Sequence, residues 1–261
     1  MEAPVGVVTG ASSGIGAAFA RVLAARGHDL VLVARSEARL RELGAELEGE
    51  HGTRSEVLSA DLETTDGIAR VAERLGDAAR PVELLVNNAG FGTTGRFAEL
   101  PVDQEEAEIR LNVLAVVDLT HAALGPMVER GHGGVINVSS VGAYQPTPLS
   151  ATYGATKAFV SSFTNALHEE LRGTGVKAMV LAPGFTHTEF HVRAGVDNKD
   201  QTPGFLWQSA DEVAQTAMRA YDRGRAVCVP GAVNGVAAAF AGTMPAGVSR
   251  RIAGLVTKMT Y

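Results

Sequence analysis

Val5-Gly6-Val7-Val8-Thr9-Gly10-Ala11-Ser12-Ser13-Gly14-Ile15-Gly16 is the stretch on which the architecture turns. Val5 to Thr9 is a short β-branched apolar run, the signature of a buried strand. Gly10 to Gly16 is a glycine-rich turn. Ala17 to Arg26 reads as helix, with Phe19, Val22 and Leu23 on one face and Gly27 as its stop. Glycines let a backbone approach a phosphate closely, and a helix N-terminus offers free N–H groups and a positive dipole. A glycine turn alone is weak evidence of a ligand, but here the strand and the helix flank it as a phosphate site requires. Its spacing, Gly10-x3-Gly14-x-Gly16, differs from the commonest dinucleotide pattern.

Outward from this unit the same alternation continues. Strands are expected at Leu30–Val33, Ser55–Leu58, Val82–Val86, Val135–Val138, Val176–Leu181 and Ala226–Val229. Between them, helices are expected at Glu37–Glu50, Thr65–Leu75, Val102–Arg130 and Tyr153–Leu171. Gly131 ends the third of these helices, and Gly173 and Gly175 close the fourth. Strands apolar on both faces belong inside a parallel sheet covered by helices. The pattern predicts an α/β fold: a Rossmann-like, doubly wound parallel sheet of about seven strands with helices on both faces. No linker or internal repeat divides the chain, so residues 1–261 are read as one domain.

Composition excludes several classes. With 23 Lys plus Arg against 29 Asp plus Glu, the net charge is −6, and no basic stripe exists to neutralise a nucleic-acid backbone. Arg35 to Arg41 is the most basic patch, and Glu37 interrupts it. The single cysteine, Cys228, lies in an apolar run and reads as a buried small hydrophobe. Met1-Glu2-Ala3-Pro4 has no basic region or apolar stretch of signal length, so a cytoplasmic setting is expected. Ala226 to Ser249 is uncharged, but Pro230, Pro245 and its glycines argue against a spanning helix. Peripheral membrane contact through this C-terminal segment is the weaker alternative to packing on the core or on a partner subunit.

Tyr153-Gly154-Ala155-Thr156-Lys157 puts a phenol and an ammonium four residues apart, on one face of a helix. Such a pair alone is commonly a surface feature. A nearby cation, however, favours the phenolate and brings tyrosine toward useful acid/base behaviour. Ser140 stands at the end of the Val135–Val138 strand, the edge of a parallel sheet where ligands bind. Its hydroxyl can hydrogen-bond a substrate oxygen while Tyr153 donates to it.

Together with Thr9 to Gly16, these spacings resemble the short-chain dehydrogenase/reductase family over nearly the whole chain. Asn87-Asn88-Ala89-Gly90, Asn112, and Pro183-Gly184 followed by Thr188 match further motifs of that family. The resemblance implies hydride transfer between a nicotinamide and a carbonyl or alcohol, with no metal. It implies that Tyr153 is the general acid/base and that Lys157 lowers its pKa and holds the nicotinamide ribose. Ser140 would polarise the carbonyl, with Ser139 missing the spacing by one, and Asn112 would hold a relay water. For the cofactor it implies contacts from Gly10, Ser12, Ser13, Gly14, Ile15, Gly16, Arg35, Asp61, Leu62, Asn88, Ala89, Gly90, Tyr153, Lys157, Pro183, Gly184 and Thr188. It also implies a dimer or tetramer, formed through the helices that carry Asn112 and Tyr153.

Arg35 ends the second strand where an acidic residue would select NAD(H), and a guanidinium there suits the 2′-phosphate of NADP(H). A substrate loop is expected over about 185–208, with Phe185, Phe190, Phe205, Leu206 and Trp207 suited to cover an apolar substrate. His187 and His191 have a loose metal-ligand spacing without a third ligand. The C-terminal extension, about 231–261, ends in a pattern of Arg250, Arg251 and Lys258 alternating with Ile252, Leu255 and Val256, suited to a lid or a partner surface. The expected activity is reduction of an apolar ketone, aldehyde or ketoacyl group, or oxidation of the alcohol. A non-catalytic cofactor-binding regulator on the same fold is the alternative, and such a protein usually lacks the Tyr or the Lys.

Overall fold

The computed structural model describes residues 3–189, 204, 207–244, 247–251 and 253–254. In chain order the elements are β1 (Val5–Thr9), α1 (Gly14–Ala24), β2 (Asp29–Ala34), α2 (Glu37–His51), β3 (Ser55–Ser59), α3 (Thr65–Leu75) and β4 (Val82–Asn87). There follow α4 (Val102–Ile109), α5 (Ala115–Arg130), β5 (Gly133–Val138), α6 (Ala151–Glu170) and β6 (Val176–Leu181). The described remainder holds β7 (Thr186–His187), β8 (Gln208–Ser209), α7 (Ala210–Asp222), β9 (Val227–Cys228) and α8 (Ala232–Thr243).

Seven strands form one parallel sheet in the order β3-β2-β1-β4-β5-β6-β9. The chain winds outward from β1 to β3, then crosses back and winds outward again from β4, so the order reverses between β1 and β4. Ligands bind at the C-terminal ends of the strands beside such a switch point. The turns after β1 and β4, at Gly10 and Asn88, meet there.

Every residue of β1 is buried, as are the inner residues of β2 and β5, because helices cover both faces. On one face Phe19, Leu23, Leu40 and Leu47 pack with Val213 and Met218 of α7. On the other, Ile68 and Val71 of α3 pack with Leu119 and Met127 of α5. Fully burying a side chain such as Phe19 or Leu119 contributes roughly 1.5–3 kcal/mol.

Most expected elements lie within a residue or two of their predicted limits, and the seven-stranded doubly wound fold is as expected. Four features differ. First, α1 begins at Gly14, inside the glycine turn. Second, the helical run Val102–Arg130 contains a π-helical turn at Arg110–Leu114 and carries Pro126 without ending. That run is apolar and long enough to cross a membrane by composition, yet it lies along the sheet with Leu111, Leu119, Ala123 and Met127 buried. Third, α7 has no counterpart among the expected elements; its start is a capping box, in which Ser209 Oγ accepts from Glu212 N and Glu212 Oε2 accepts from Ser209 N. Fourth, β7 and β8 form a separate two-stranded ribbon. Cys228 is buried in β9, and burial pushes its thiol up to about 11, in keeping with an inert core residue.

Candidate active site

The glycine turn forms a close cradle. Gly10 has φ +65, and a Cβ there would lie 2.8 Å from Asn88 Nδ2. A Cβ on Gly16 would stand 2.2 Å from the Gly10 carbonyl oxygen, so only glycine allows the helix to begin this close to β1. Asn88 fixes the turn by donating from Nδ2 to the Thr9 carbonyl at 2.9 Å. Thr9 Oγ1 accepts from the Asn88 and Ala89 N–H groups, each at 2.9 Å. The N-cap of α1, Ser13, makes no side-chain cap bond. The first-turn N–H groups are therefore not satisfied by their own cap, and Ser12, Ser13, Gly14 and Ile15 line the cleft. This cradle fits a dinucleotide pyrophosphate. Thr188 closes it from the far side, 3.0 Å from where a Gly14 Cβ would be.

At the end of β2, Arg35, Ser36 and Arg39 line the same cleft, facing Asp61, Leu62 and Glu63 after β3. Arg35 Nη1 pairs with Glu63 Oε1 at 2.9 Å, and Arg39 Nη1 pairs with Glu189 Oε2 at 3.1 Å. Both guanidinium groups thus already sit against oxyanions, the chemistry that a ribose phosphate would also offer them. Arg39, one turn after Arg35, is an addition to the expected set. Its signal in the sequence was the i+4 spacing inside the basic patch.

At the opposite end of the cleft, β5 and α6 bring Ser140, Tyr153 and Lys157 together. Ser140 Oγ accepts from Gly142 N at 3.1 Å and hydrogen-bonds the Tyr153 phenol. Ser139 turns inward, donating to the Lys157 carbonyl at 2.7 Å and meeting Ser161 Oγ at 2.8 Å, so it anchors β5 to α6. Lys157 is 5% exposed, and its Nζ donates to the Val138 carbonyl at 3.0 Å. Asn112 sits in the π turn, where it grips Phe91 twice: Nδ2 donates to Phe91 O at 2.8 Å, and Oδ1 accepts from Phe91 N at 3.2 Å. A π turn redirects a helical side chain, and such turns recur at functional sites.

The electrostatics depart from the sequence expectation. Burial pushes Tyr153 up to about 12, against a smaller downward pull from the Ser140 hydrogen bond. Burial also brings Lys157 down to about 8. Lys157 Nζ stands 5.8 Å from the Tyr153 ring centre and is turned to the Val138 carbonyl. Desolvation thus raises the phenol where the sequence reading expects a lowering.

The cleft encloses about 1210 Å³, and the site residues expected from sequence line it, apart from Gly16 and Asn112, which act one layer behind. Beyond Tyr153 its wall is Thr94, Gln145, Pro146, Leu149, Phe185 and, from the C-terminal extension, Met244, Ser249 and Ala253. Leu149 holds φ +69, a costly conformation for a branched side chain and one that gathers at functional sites. Pro146 and Pro148 were the sequence signal of that turn. Phe185 packs on Trp207 with ring centres 5.4 Å apart, and His187 stacks on Trp207 at 4.8 Å. Phe190, His191, Phe205, Leu206, Ile252, Leu255, Val256 and Lys258 lie outside the described residues.

Comparison with known proteins agrees with this geometry. Residues 4–199 match the sequence profile of the short chain dehydrogenase family. Sulfoacetaldehyde reductase 2 of Chromohalobacter salexigens is 38% identical over 219 residues, 80% of this chain and 84% of that one. A short-chain dehydrogenase from Sphingobium yanoikuyae, solved in complex with NADPH, superposes with a TM-score of 0.83 at 36% identity, covering 93% of this chain and 96% of that one. The bulky-bulky ketone specific alcohol dehydrogenase from Comamonas testosteroni gives a TM-score of 0.79 at 31% identity, with 88% and 87% covered. With its glycine cradle, its switch-point cleft and these relatives, the chain belongs to the short-chain dehydrogenase/reductase family and is an NAD(P)-dependent oxidoreductase acting on carbonyl or CH–OH groups.

Proposed function

We propose that the protein is an NADP(H)-dependent reductase of uncharged, largely apolar ketones or aldehydes, with Tyr153 as the proton donor. The observation that carries this reading is the single cleft joining Arg35 and Arg39 at one end to Ser140 and Tyr153 at the other. The arginine pair supports NADP(H) over NAD(H), because a 2′-phosphate offers each guanidinium a charge-assisted partner. The bound nicotinamide supplies the hydride. Ser140 Oγ holds and polarises the carbonyl oxygen. Tyr153 delivers its phenolic proton to that oxygen as charge develops, or removes it in the oxidative direction. Lys157 offsets part of the desolvation that raises the Tyr153 phenol and orients the ribose, and Asn112, held on Phe91, positions the water through which Tyr153 regains its proton.

The substrate end supports an uncharged substrate. Among the described residues that wall the cleft beyond Tyr153, Thr94, Gln145, Pro146, Leu149, Phe185, Met244, Ser249 and Ala253, none is charged. Assembly as a dimer through α4, α5 and α6 is part of the same reading. Ile109, Val128 and Phe159 expose apolar surface on those helices, as does Leu114 in the π turn between α4 and α5, and Phe159 stacks on Phe163.

The test is loss of NADPH absorbance with a panel of bulky apolar ketones and aldehydes, for the parent and for Tyr153→Phe. The substitution is expected to lower kcat by about 100- to 10,000-fold while NADPH still binds. A Tyr153→Phe variant as active as the parent would overturn the mechanism. NADPH binding by the parent without turnover on any carbonyl would favour the regulatory alternative.

A further inference from the structure

One enclosed pair of acids is not used by this chemistry. Glu105 and Glu108 lie one turn apart on α4 and are 4% and 0% exposed. Both meet Thr93, whose Oγ1 stands 2.6 Å from Glu105 Oε1 and 2.9 Å from Glu108 Oε2. The Thr93 N–H donates to the same Glu108 oxygen at 2.9 Å. Thr152 Oγ1 donates to the other Glu105 oxygen, and Glu108 Oε1 is buried without a hydrogen-bond partner.

A threonine hydroxyl carries one hydrogen. It can donate to one carboxyl and must then accept from the other, so one of the two carboxyls is protonated. Glu105 is met by two hydroxyls, those of Thr93 and Thr152. Burial of Glu108, with Glu105 beside it, pushes its carboxyl up from the ordinary value, against the pull of the Thr93 hydrogen bonds. The pair therefore holds a single negative charge.

A buried charge of this kind needs a partner. Lys157 is at hand: a Cβ built on Gly90 would lie 3.4 Å from Lys157 Nζ and 2.8 Å from Oδ1 of Asn112, which is one turn along from Glu108. The titratable groups facing the pair are Tyr153 and Lys157 from α6, and both feel the Glu108 charge. Residues 89–94, packed on the same side, bring none. We propose that Glu105 and Glu108, holding one proton between them across Thr93, are the counter-ion of Lys157 and keep its ammonium charged inside the buried site. They are positioning residues, and the proposal rests on the role given to Lys157 above.

The shared proton makes a specific, non-additive forecast. In Glu105→Gln or Glu108→Gln the amide can still bond Thr93, and the remaining carboxyl gives up the proton, so the charge of minus one survives. The double variant loses it. The measurement is the pH titration of Lys157 in the full ligand-free chain, followed by NMR on lysine labelled at the ε-carbon and assigned by its loss in Lys157→Met. Each single variant is expected to change the proton affinity of Lys157 by no more than about twofold, and the double variant to lower it by about tenfold or more. A full drop in either single variant, or none in the double, overturns the proposal. Should a variant fail to fold, the infrared carbonyl stretch of a protonated carboxylic acid in the parent at neutral pH decides instead, and its absence overturns the shared proton. If the titration moves as expected while the pH–rate profile does not, the counter-ion stands and the catalytic reading of Lys157 fails.

Discussion

Lys157 shows how far a single side chain's setting can work against the stability of the fold. Its ammonium has an ordinary pKa of 10.5 and falls to about 8 on burial. Below about 8 it is charged in both states, and the native state carries the full cost of enclosing the charge. Between about 8 and 10.5 the unfolded chain binds more protons than the native one, so this group makes stability rise with pH. Tyr153 acts oppositely: its proton is held from 10.0 to about 12, so stability falls across that range. Lys157→Met is therefore expected to remove the rise above pH about 8 and to abolish turnover. Thermal melts across pH, beside an assay showing lost turnover, check both. At the other end of the cleft, Arg35→Ala is expected to weaken NADPH binding by about tenfold, because Arg35 is well exposed and its charge-assisted bond is screened. NADH binding should change little, and titration calorimetry with each cofactor would show it.

At the scale of elements, two irregular pieces of backbone shape the reactive end. The π turn at Arg110–Leu114 aims Asn112 at Phe91, tying the helix to the loop that follows β4. The turn before α6 holds Leu149 at φ +69, and its carbonyl accepts from Gly95 N at 2.8 Å. Leu149→Gly relieves a strain of about 1 kcal/mol but frees a similar amount of unfolded-chain entropy, so the two nearly cancel. The thermal midpoint is then expected to stay within a few degrees, while KM for apolar ketones rises roughly tenfold as the leucine wall is lost. A KM that does not move would mean that Leu149 is no part of the substrate wall.

For the whole molecule, the exposed apolar residues of α4, α5 and α6 predict self-association. Phe159→Glu, at a side chain 43% exposed, is expected to shift a dimer toward monomer in light scattering without altering the far-ultraviolet circular dichroism. A parent that is monomeric at micromolar concentration would dismiss this assembly. The C-terminal extension does a second thing at this scale. Asn234 of α8 abuts Gly184, where a Cβ would lie 2.4 Å from its Nδ2, and Met244, Ser249 and Ala253 reach the cleft wall. The described part of the extension thus borders the cleft.

The sequence by itself determined the framework. β-branched runs at fixed intervals, glycines at Gly10, Gly14 and Gly16, and a phenol and an ammonium one turn apart are local patterns, set by backbone sterics and helix periodicity. Local physics reads them in one pass. What only the tertiary structure decided is how those groups are charged and walled. The state of Lys157 depends on burial against β5 and on Glu108 from a helix some fifty positions earlier in sequence. The π turn, the backbone of Leu149 and the approach of Arg39 to Glu189 likewise come from packing between distant segments. Desolvation and proton sharing are properties of enclosed space, and the chain encloses space only once it is folded.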